Sequence, residues 1–464
     1  MNGSTGYPAG FEAALEAALG PGGLLRDAAI DALDPGFEPR NLGARLLARP
    51  DSTAAVSRVL SLCHAARVAV IPHGGRTGLA GGAVSAPGQL IVSLERLDRI
   101  ERIRPAAQTA TVEAGVTLEA LAAVLAPHGL GPGIDLGARG TATIGGMVST
   151  NAGGIDAFRR GTMRERVLGL EAVLADGRVV GALARVRKDN AGLALRQLFV
   201  GAEGTLGVVT RIVLALVPLP RTPANSLLAF VPDLAAGVRV LRSLEALPGA
   251  ELAAAELMSA NHVRVTAPAL GVAGLRDAPA EGFAVLFSVV AGEHGRAVLE
   301  TALERAVEAG EVSDALLAKN AAEERDLWRV REDWAVDRRF PGGLWFDVSV
   351  PLDALPEYLV RLNGRLRAHD PALDVYVVGH LGDGNLHVTV NAGVPLTARY
   401  AEIAPFVYEG LAEVGGSFSA EHGIGLEKRA ALERWAGPAN LELMRAIKAV
   451  FDPLGLMNPG KVLR

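Results

Sequence analysis

Apolar residues spaced three and four apart alternate with short β-branched runs along the chain, and that alternation predicts its elements. Phe11, Leu15 and Leu19 share one face of a helix expected over residues 11 to 32. A second helix is expected over 53 to 66, started by Asp51 or Ser52 as cap. The run VAVIPH (68–73) reads as a short buried strand broken by glycines, QLIVSL (89–94) as a second strand after the turn at Pro87 and Gly88, and TATVEAG (109–115) as a third, followed by a helix over 117–127. VVTRIVLALVPLP closes this stretch with two prolines, so a first domain is expected to end at residue 217.

From Asn225 the pattern becomes strand LLAFVP, helix LAAGVRVLRSLEAL, strand EGFAVLFSVV and helix RAVLETALERAVEAG, the alternation of an α+β domain. RDLWRVREDWAVDRR (325–339) predicts one helix, and the strands LWFDVSV and DVYVVGH are separated by a helix from Asp353 to about Arg367. Helices near 426–436 and 438–451 precede the turn-rich tail FDPLGLMNPGKVLR. The domains expected are 1–217, 218–425, and a segment 426–464 that returns to pack on the first.

Composition narrows the function classes. A chain of 464 residues, half of them hydrophobic, needs more than one core. A net charge of -5 with both signs interspersed supplies no basic field, which argues against nucleic acid as partner. No apolar run approaches the ~20 residues that span a bilayer. Cys63 is the single cysteine, so no intramolecular disulfide can form, and a reducing, cytoplasmic setting is expected. Its apolar surroundings mark it as a core residue. The N-terminal stretch has no leader pattern, and the mature chain is expected to start there.

Chemistry concentrates first in glycine loops. Gly74, Gly75, Gly78, Gly81 and Gly82 fall within nine positions just after a predicted strand, a density that lets the backbone present N–H groups to an anion. The spacing is neither that of a P-loop nor that of a Rossmann dinucleotide site, and an irregular turn is an equal reading of this loop alone. GPGIDLGARGTATIGGMVSTNAGG (131–154) and QLFVGAEGTLGVVT (197–210) are two further glycine-rich loops. Three such loops suit an extended ligand held by backbone contacts, such as a dinucleotide with a large ring system.

GGRTGLAGG, TATIGGMVSTNAGG, VLGLEAVLADG and FVGAEGTLGVVT together resemble the FAD-binding domain of the vanillyl-alcohol oxidase and p-cresol methylhydroxylase superfamily, over about residues 40 to 217. The fold this implies is α+β: a two-part FAD-binding domain joined to an α+β substrate domain with an antiparallel sheet. The resemblance implies that FAD is held by Pro72, His73, Gly74, Gly75, Arg76, Thr77, Gly78, Gly81 and Gly82. It further implies cofactor contacts from Asp135, Thr141, Ala142, Thr143, Ile144, Gly145, Gly146, Asn151, Gly153 and Val208. Some relatives attach the flavin through a histidine after the paired glycines; Arg76 stands there, which implies non-covalent FAD. Arg160 also departs from the family, where tyrosine commonly precedes the glycine.

VVGHLGDGNLHVTV places His380 and His387 seven residues apart, and FSAEHGIGLEKR supplies Glu421 and His422. Residues seven apart on an unbroken strand face opposite sides, so the Gly382–Gly384 stretch must turn the chain for the two imidazoles to meet. Two imidazoles and a carboxylate suit zinc, manganese or iron. These motifs resemble the branch of the superfamily that oxidises D-lactate, glycolate and D-2-hydroxyglutarate. That resemblance implies His380, His387 and Glu421 as metal ligands, with zinc ahead of manganese or iron, His422 as the base that removes the hydroxyl proton, and Asn458 near the flavin. It implies Arg331 as the substrate-carboxylate partner, a task suited to the guanidinium fork.

The hydroxyglutarate members carry a threonine, a lysine and an asparagine around the distal carboxylate, at positions that read here as Ala335, Trp345 and Thr389. Those replacements favour a D-lactate-like or apolar substrate. The alternatives are a D-2-hydroxyglutarate dehydrogenase, a glycolate oxidase-like enzyme, or a flavin-binding electron-transfer or scaffold subunit. The electron acceptor is a quinone, an electron-transfer flavoprotein, a cytochrome or oxygen, and a homodimer is compatible with the sequence.

Overall fold

Eighteen strands and the helices between them separate into two units in the computed structural model, which describes residues 6–220, 224–275, 278–291 and 295–463. The first five residues of the N-terminal stretch lie outside that range. One unit comprises Met1–Leu219 with Glu421–Arg464, the other Pro220–Ala420.

In the first unit, β1 (Leu24–Arg26), β2 (Leu46–Ala48), β3 (Val70–His73) and β4 (Leu90–Ser93) form a sheet in the order β1-β2-β4-β3. Both β2 and β3 run parallel to β4, and β1 is antiparallel to β2. A second, antiparallel sheet contains β5 (Ile100–Arg104), β6 (Thr109–Glu113), β8 (Val167–Val173), β9 (Val179–Ala182) and β10 (Val208–Ala215), in the order β5-β6-β10-β8-β9. The short β7 (Leu130–Gly131) pairs with β11 (Val217–Pro218). The helix Thr53–Ala66 is capped by Ser52, whose side chain accepts from the Ala55 N–H. Its buried Val56, Val59, Leu60 and Cys63 belong to one apolar cluster with Val70, Val92, Leu170 and Ile212 from both sheets. Cys63 is a buried core thiol.

The helix expected over 11 to 32 is two helices, Phe11–Leu19 and Ala28–Asp31, with β1 between them. Gly20 and Gly22 adopt φ of 71° and 69°, and Pro21 lies between them, so the chain turns where the apolar period alone would have continued.

The second unit is built on seven antiparallel strands: β12 (Ala224–Val231), β13 (Ala250–Ser259), β14 (Phe283–Ala291), β15 (Asp314–Leu317), β16 (Leu344–Ser349), β17 (Asp374–His380) and β18 (Asn385–Asn391). Their order is β15-β12-β14-β13-β17-β18-β16. Helices Ala260–Leu270 and Ala321–Glu332 bury Val263, Ala267, Leu327 and Val330 against Leu228, Met258, Ala284 and Leu286 on one face. The helix expected over 325–339 divides into Ala321–Glu332 and Ala335–Arg339, because Asp333 is extended. Among the described residues no helix is long and apolar enough to cross a membrane.

Candidate active site

The side-chain alternation of the seven-stranded sheet gathers the polar residues of the second unit. Asn385, His387 and Thr389 alternate onto one face of β18. Opposite them stand Ser349, Asp347 and Trp345 on β16, and His380, Val378 and Tyr376 on β17. Glu256 on β13 stands directly opposite His380. The turn between β17 and β18 permits this arrangement. Gly384 sits at φ 75°, where a Cβ would come within 2.0 Å of the Val350 carbonyl oxygen. The rings of His380 and His387 consequently lie 5.6 Å apart, nearly perpendicular.

Each histidine is backed by a buried carboxylate. His380 Nδ1 lies 2.8 Å from Glu256 Oε1, and His387 Nδ1 lies 3.7 Å from Asp347 Oδ1. Asp347 also accepts from Asn385 Nδ2 at 2.9 Å and from the Ala420 backbone N–H at 3.0 Å. This carboxylate therefore fastens the last residue of the unit, and Glu421 and His422 follow in the chain. Burial raises the Glu256 carboxyl, but His380 and Arg331 more than offset that, leaving it below the usual carboxylate range. Arg331 Nη2 forms an ion pair with Glu256 Oε2 at 2.9 Å, while its Nε is buried with no hydrogen-bond partner among the described residues.

The residues assigned to substrate selection are on the same sheet face or beside it. Trp345 and Thr389 are cross-strand partners, Trp345 is exposed and stacks on Trp334 with ring centroids 4.6 Å apart, and Ala335 is buried. Arg338 is engaged by Asp333, and the Arg339 guanidinium lies over the Phe340 ring.

In the first unit three glycine loops and the EHGIG segment interlock. A Cβ on Gly75 would fall 1.8 Å from the Thr141 carbonyl oxygen, and one on Gly74 would fall 2.4 Å from Thr143 Oγ1. The first two loops thus touch backbone to backbone. Gly78 and Gly137 face open space. Thr143 caps the helix Ile144–Thr150, accepting from the Gly146 N–H. Gly145 packs on Ala114, and Ala142 and Val208 are core residues. Asn458 Nδ2 donates to the carbonyls of Gly82 and Glu203, while its Oδ1 is a buried acceptor with no hydrogen-bond partner among the described residues.

The third loop contributes Glu203, with φ 50°. Its carboxylate accepts the backbone N–H groups of Ile424 and Gly425, both at 2.8 Å. Desolvation raises its carboxyl above the usual range despite those two donors. The Ala80 carbonyl accepts from Leu426 and Glu427, and Val462 donates to the Gly425 carbonyl. Glu421 and His422 present ligand atoms within 4.8 Å of each other, and Gly153 leaves room for Glu421, whose Oε2 is 3.6 Å from an ideal Cβ there.

Several side chains assigned to the cofactor are committed elsewhere. His73 is buried, bonds the Ala83 carbonyl through Nε2, and burial holds it neutral, its pKa pushed down to about 3. Asn151 Oδ1 accepts from Thr162 Oγ1 and the Arg164 N–H, Asp135 pairs with Arg139, and Arg76 Nε donates to the Asp34 carbonyl. Thr141 is exposed, with Oγ1 3.4 Å from the Ala138 carbonyl.

Sequence reasoning passed over Glu256, Asp347 and Glu203. For Asp347 the available signal was a carboxylate inside an otherwise apolar strand, since an unpaired charge is costly to bury, whereas Glu256 lies in the helix-like run AELAAAELMS. For Glu203 the signal was an acid inside a glycine loop.

Two family models match the chain: "FAD binding domain" over residues 44–182 and "FAD linked oxidases, C-terminal domain" over 221–462. The chain belongs to the FAD-linked oxidases. Its similar proteins include the mitochondrial D-2-hydroxyglutarate dehydrogenase of Bos taurus, 37% identical over 424 residues, 90% of this chain and 77% of that protein. The D-2-hydroxyglutarate dehydrogenase of Xanthomonas citri pv. viticola is 36% identical over 427 residues, covering 90% and 88%. A putative mitochondrial D-lactate dehydrogenase of Schizosaccharomyces pombe is 33% identical over 464 residues, covering 93% and 86%. Among solved structures, p-cresol methylhydroxylase with substrate bound superposes with a TM-score of 0.74 at 17% identity, covering 98% of each chain, which shows the fold alone.

This FAD-linked oxidase is an FAD-dependent oxidoreductase with the two-domain vanillyl-alcohol oxidase and p-cresol methylhydroxylase fold, mixing helices with antiparallel sheets. The residues of the first unit fit the cofactor. Gly78 and Gly137 open beside tightly interlocked loops, and Asn458 Oδ1 offers a buried acceptor there.

Proposed function

We propose that this chain oxidises a D-2-hydroxy acid to the corresponding 2-oxo acid. The observation that carries the reading is the pair of imidazoles His380 and His387 on one sheet face, each with Nδ1 turned to a buried carboxylate. At His380, where the contact is a 2.8 Å hydrogen bond, such backing fixes the tautomer and leaves Nε2 with the lone pair a metal needs. In this reading His380, His387 and Glu421 hold a divalent cation, with zinc first and manganese or iron as alternatives. Asp347 aligns His387. His422 takes the hydroxyl proton, and Arg331 meets the substrate carboxylate through its guanidinium. The cation supplies polarisation of the hydroxyl, and FAD, held non-covalently, supplies the two-electron acceptor.

The names of the relatives support the substrate class, and most point to the five-carbon diacid. The local chemistry favours a monocarboxylic, D-lactate-like substrate. The exposed indole of Trp345 and the methyl of Ala335 offer no charge to a distal carboxylate, and Arg338 is already engaged by Asp333.

A dye-reduction assay tests the proposal, run on FAD-loaded protein with the D and L forms of lactate, 2-hydroxybutyrate and 2-hydroxyglutarate. The expected result is turnover of D forms with D-lactate ahead of D-2-hydroxyglutarate. No turnover of any D-2-hydroxy acid would sink the reading, and a preference for the diacid would overturn its narrower part.

A further inference from the structure

Glu256, the carboxylate behind His380, also reaches a second partner, Arg331. It is 1% exposed, on β13, with its two oxygens used separately: Oε1 accepts from His380 Nδ1 at 2.8 Å, and Oε2 forms an ion pair with Arg331 Nη2 at 2.9 Å that lacks hydrogen-bond geometry. The two partners come from different directions. His380 stands across the β13–β17 strand pair, directly opposite Glu256, where Cβ atoms are about 5 Å apart. Arg331 descends from the last turn of the helix Ala321–Glu332, which lies over the same sheet face.

A carboxylate buried to this degree is costly unless its partners are fixed in place. Leu286, Leu228 and Met258 lie on the same face, so the sheet around the carboxylate is apolar. Glu256 therefore sets two positions at once. It orients the His380 ring with Nδ1–H toward itself, and it draws one end of the Arg331 guanidinium down onto the sheet while Nε stays unpartnered.

We infer that Glu256 is a positioning residue that couples the carboxylate-binding arginine to the cation-binding histidine. This rests on the ligand and substrate roles proposed above for His380 and Arg331. Its consequence is that substrate affinity and cation affinity share one determinant buried beneath both.

The test compares wild type, Glu256→Gln and Glu256→Asp as FAD-loaded proteins. Zn²⁺ and Mn²⁺ affinities are measured by competition with a chelator, alongside KM and kcat for D-lactate, with the flavin spectrum and circular dichroism reporting integrity. Glu256→Gln is expected to lose about 10- to 100-fold in cation affinity and to raise KM by a similar factor, with the flavin spectrum unchanged. Glu256→Asp, which keeps the charge, should recover part of both. Wild-type cation affinity and KM in Glu256→Gln would overturn the inference. If Glu256→Gln fails to load FAD, Arg331→Lys is read for cation affinity instead, where an unchanged value overturns the coupling. A wild-type protein that binds neither ion overturns the ligand reading itself, and the coupling with it.

Discussion

Glu203 Oε2 accepts the backbone N–H of Gly425 at 2.8 Å, and its partner oxygen accepts that of Ile424. A side chain from a glycine loop thereby holds the turn that follows Glu421 and His422. Charge-assisted bonds of this kind contribute about 1.5–3 kcal/mol each before the cost of burial. Glu203→Ala is expected to retain FAD yet lower kcat by at least about tenfold and reduce unfolding free energy by about 1–3 kcal/mol. Steady-state kinetics and flavin-fluorescence melting check it. Unaltered kcat would mean that the turn is held adequately by Ala80 and Val462 alone.

The same turn admits no side chain. Gly425 sits at φ 48°, and a Cβ there would lie 2.0 Å from the Ala80 carbonyl oxygen. Gly425→Ala is expected to displace the segment and abolish most turnover. Gly249→Ala is the control: φ is 73°, nothing lies within 4 Å, and the cost is only the left-handed strain of about 1–2 kcal/mol. Equal activity loss in the two variants would refute the steric account.

Acid should weaken both units through buried histidines. Burial pushes His73 down to about 3 and His262 down to about 4, from an ordinary value of 6.5. Below about pH 6.5 the unfolded chain binds protons that the folded chain refuses. The stability is therefore intact above 6.5 and is lost as pH falls toward the depressed values, with a limiting slope of about 1.4 kcal/mol per pH unit for each histidine. Melting temperatures measured from pH 7.5 to 5 should fall, and His262→Gln should flatten the profile of the unit that contains it. A flat wild-type profile would contradict the assignment.

Trp345 provides the specificity test. Replacing it by lysine removes the stack with Trp334 and places a cation on the face that carries His387. Trp345→Lys is expected to raise kcat/KM for D-2-hydroxyglutarate relative to D-lactate by about tenfold, the effect of roughly 1.4 kcal/mol of differential binding. A ratio that does not move would remove position 345 from substrate selection.

How much of this was readable in advance depended on whether local pattern and tertiary context agreed. β17, with its GH ending, and the helices Thr53–Ala66 and Pro438–Phe451 follow their local signals closely. β13 does not. AELAAAELMS is rich in alanine, glutamate and leucine, which favour helix, and it is a strand because β14 and β17 pair with it on both sides. Missing that strand concealed Glu256. Asp347 lay in a strand that was recognised, but its importance depends on facing His387 across a register no local rule supplies. The glycine loops were legible as loops, whereas their mutual contact, and the diversion of the His73, Asn151 and Asp135 side chains to protein partners, required coordinates.

The hairpin between β17 and β18 fixes more than the meeting of two imidazoles. Because side chains alternate with a period of two, adding or deleting one residue within β18 ahead of His387 would turn that histidine toward the sheet's other side and bring Leu386 or Val388 forward. Trp345, Tyr376 and Thr389, farther along the same ladder, can change in size and charge without disturbing that parity. The enzyme is thus free to drift in which acid it prefers while its hairpin length stays locked, and natural variation in this region should be sought in letters rather than in gaps.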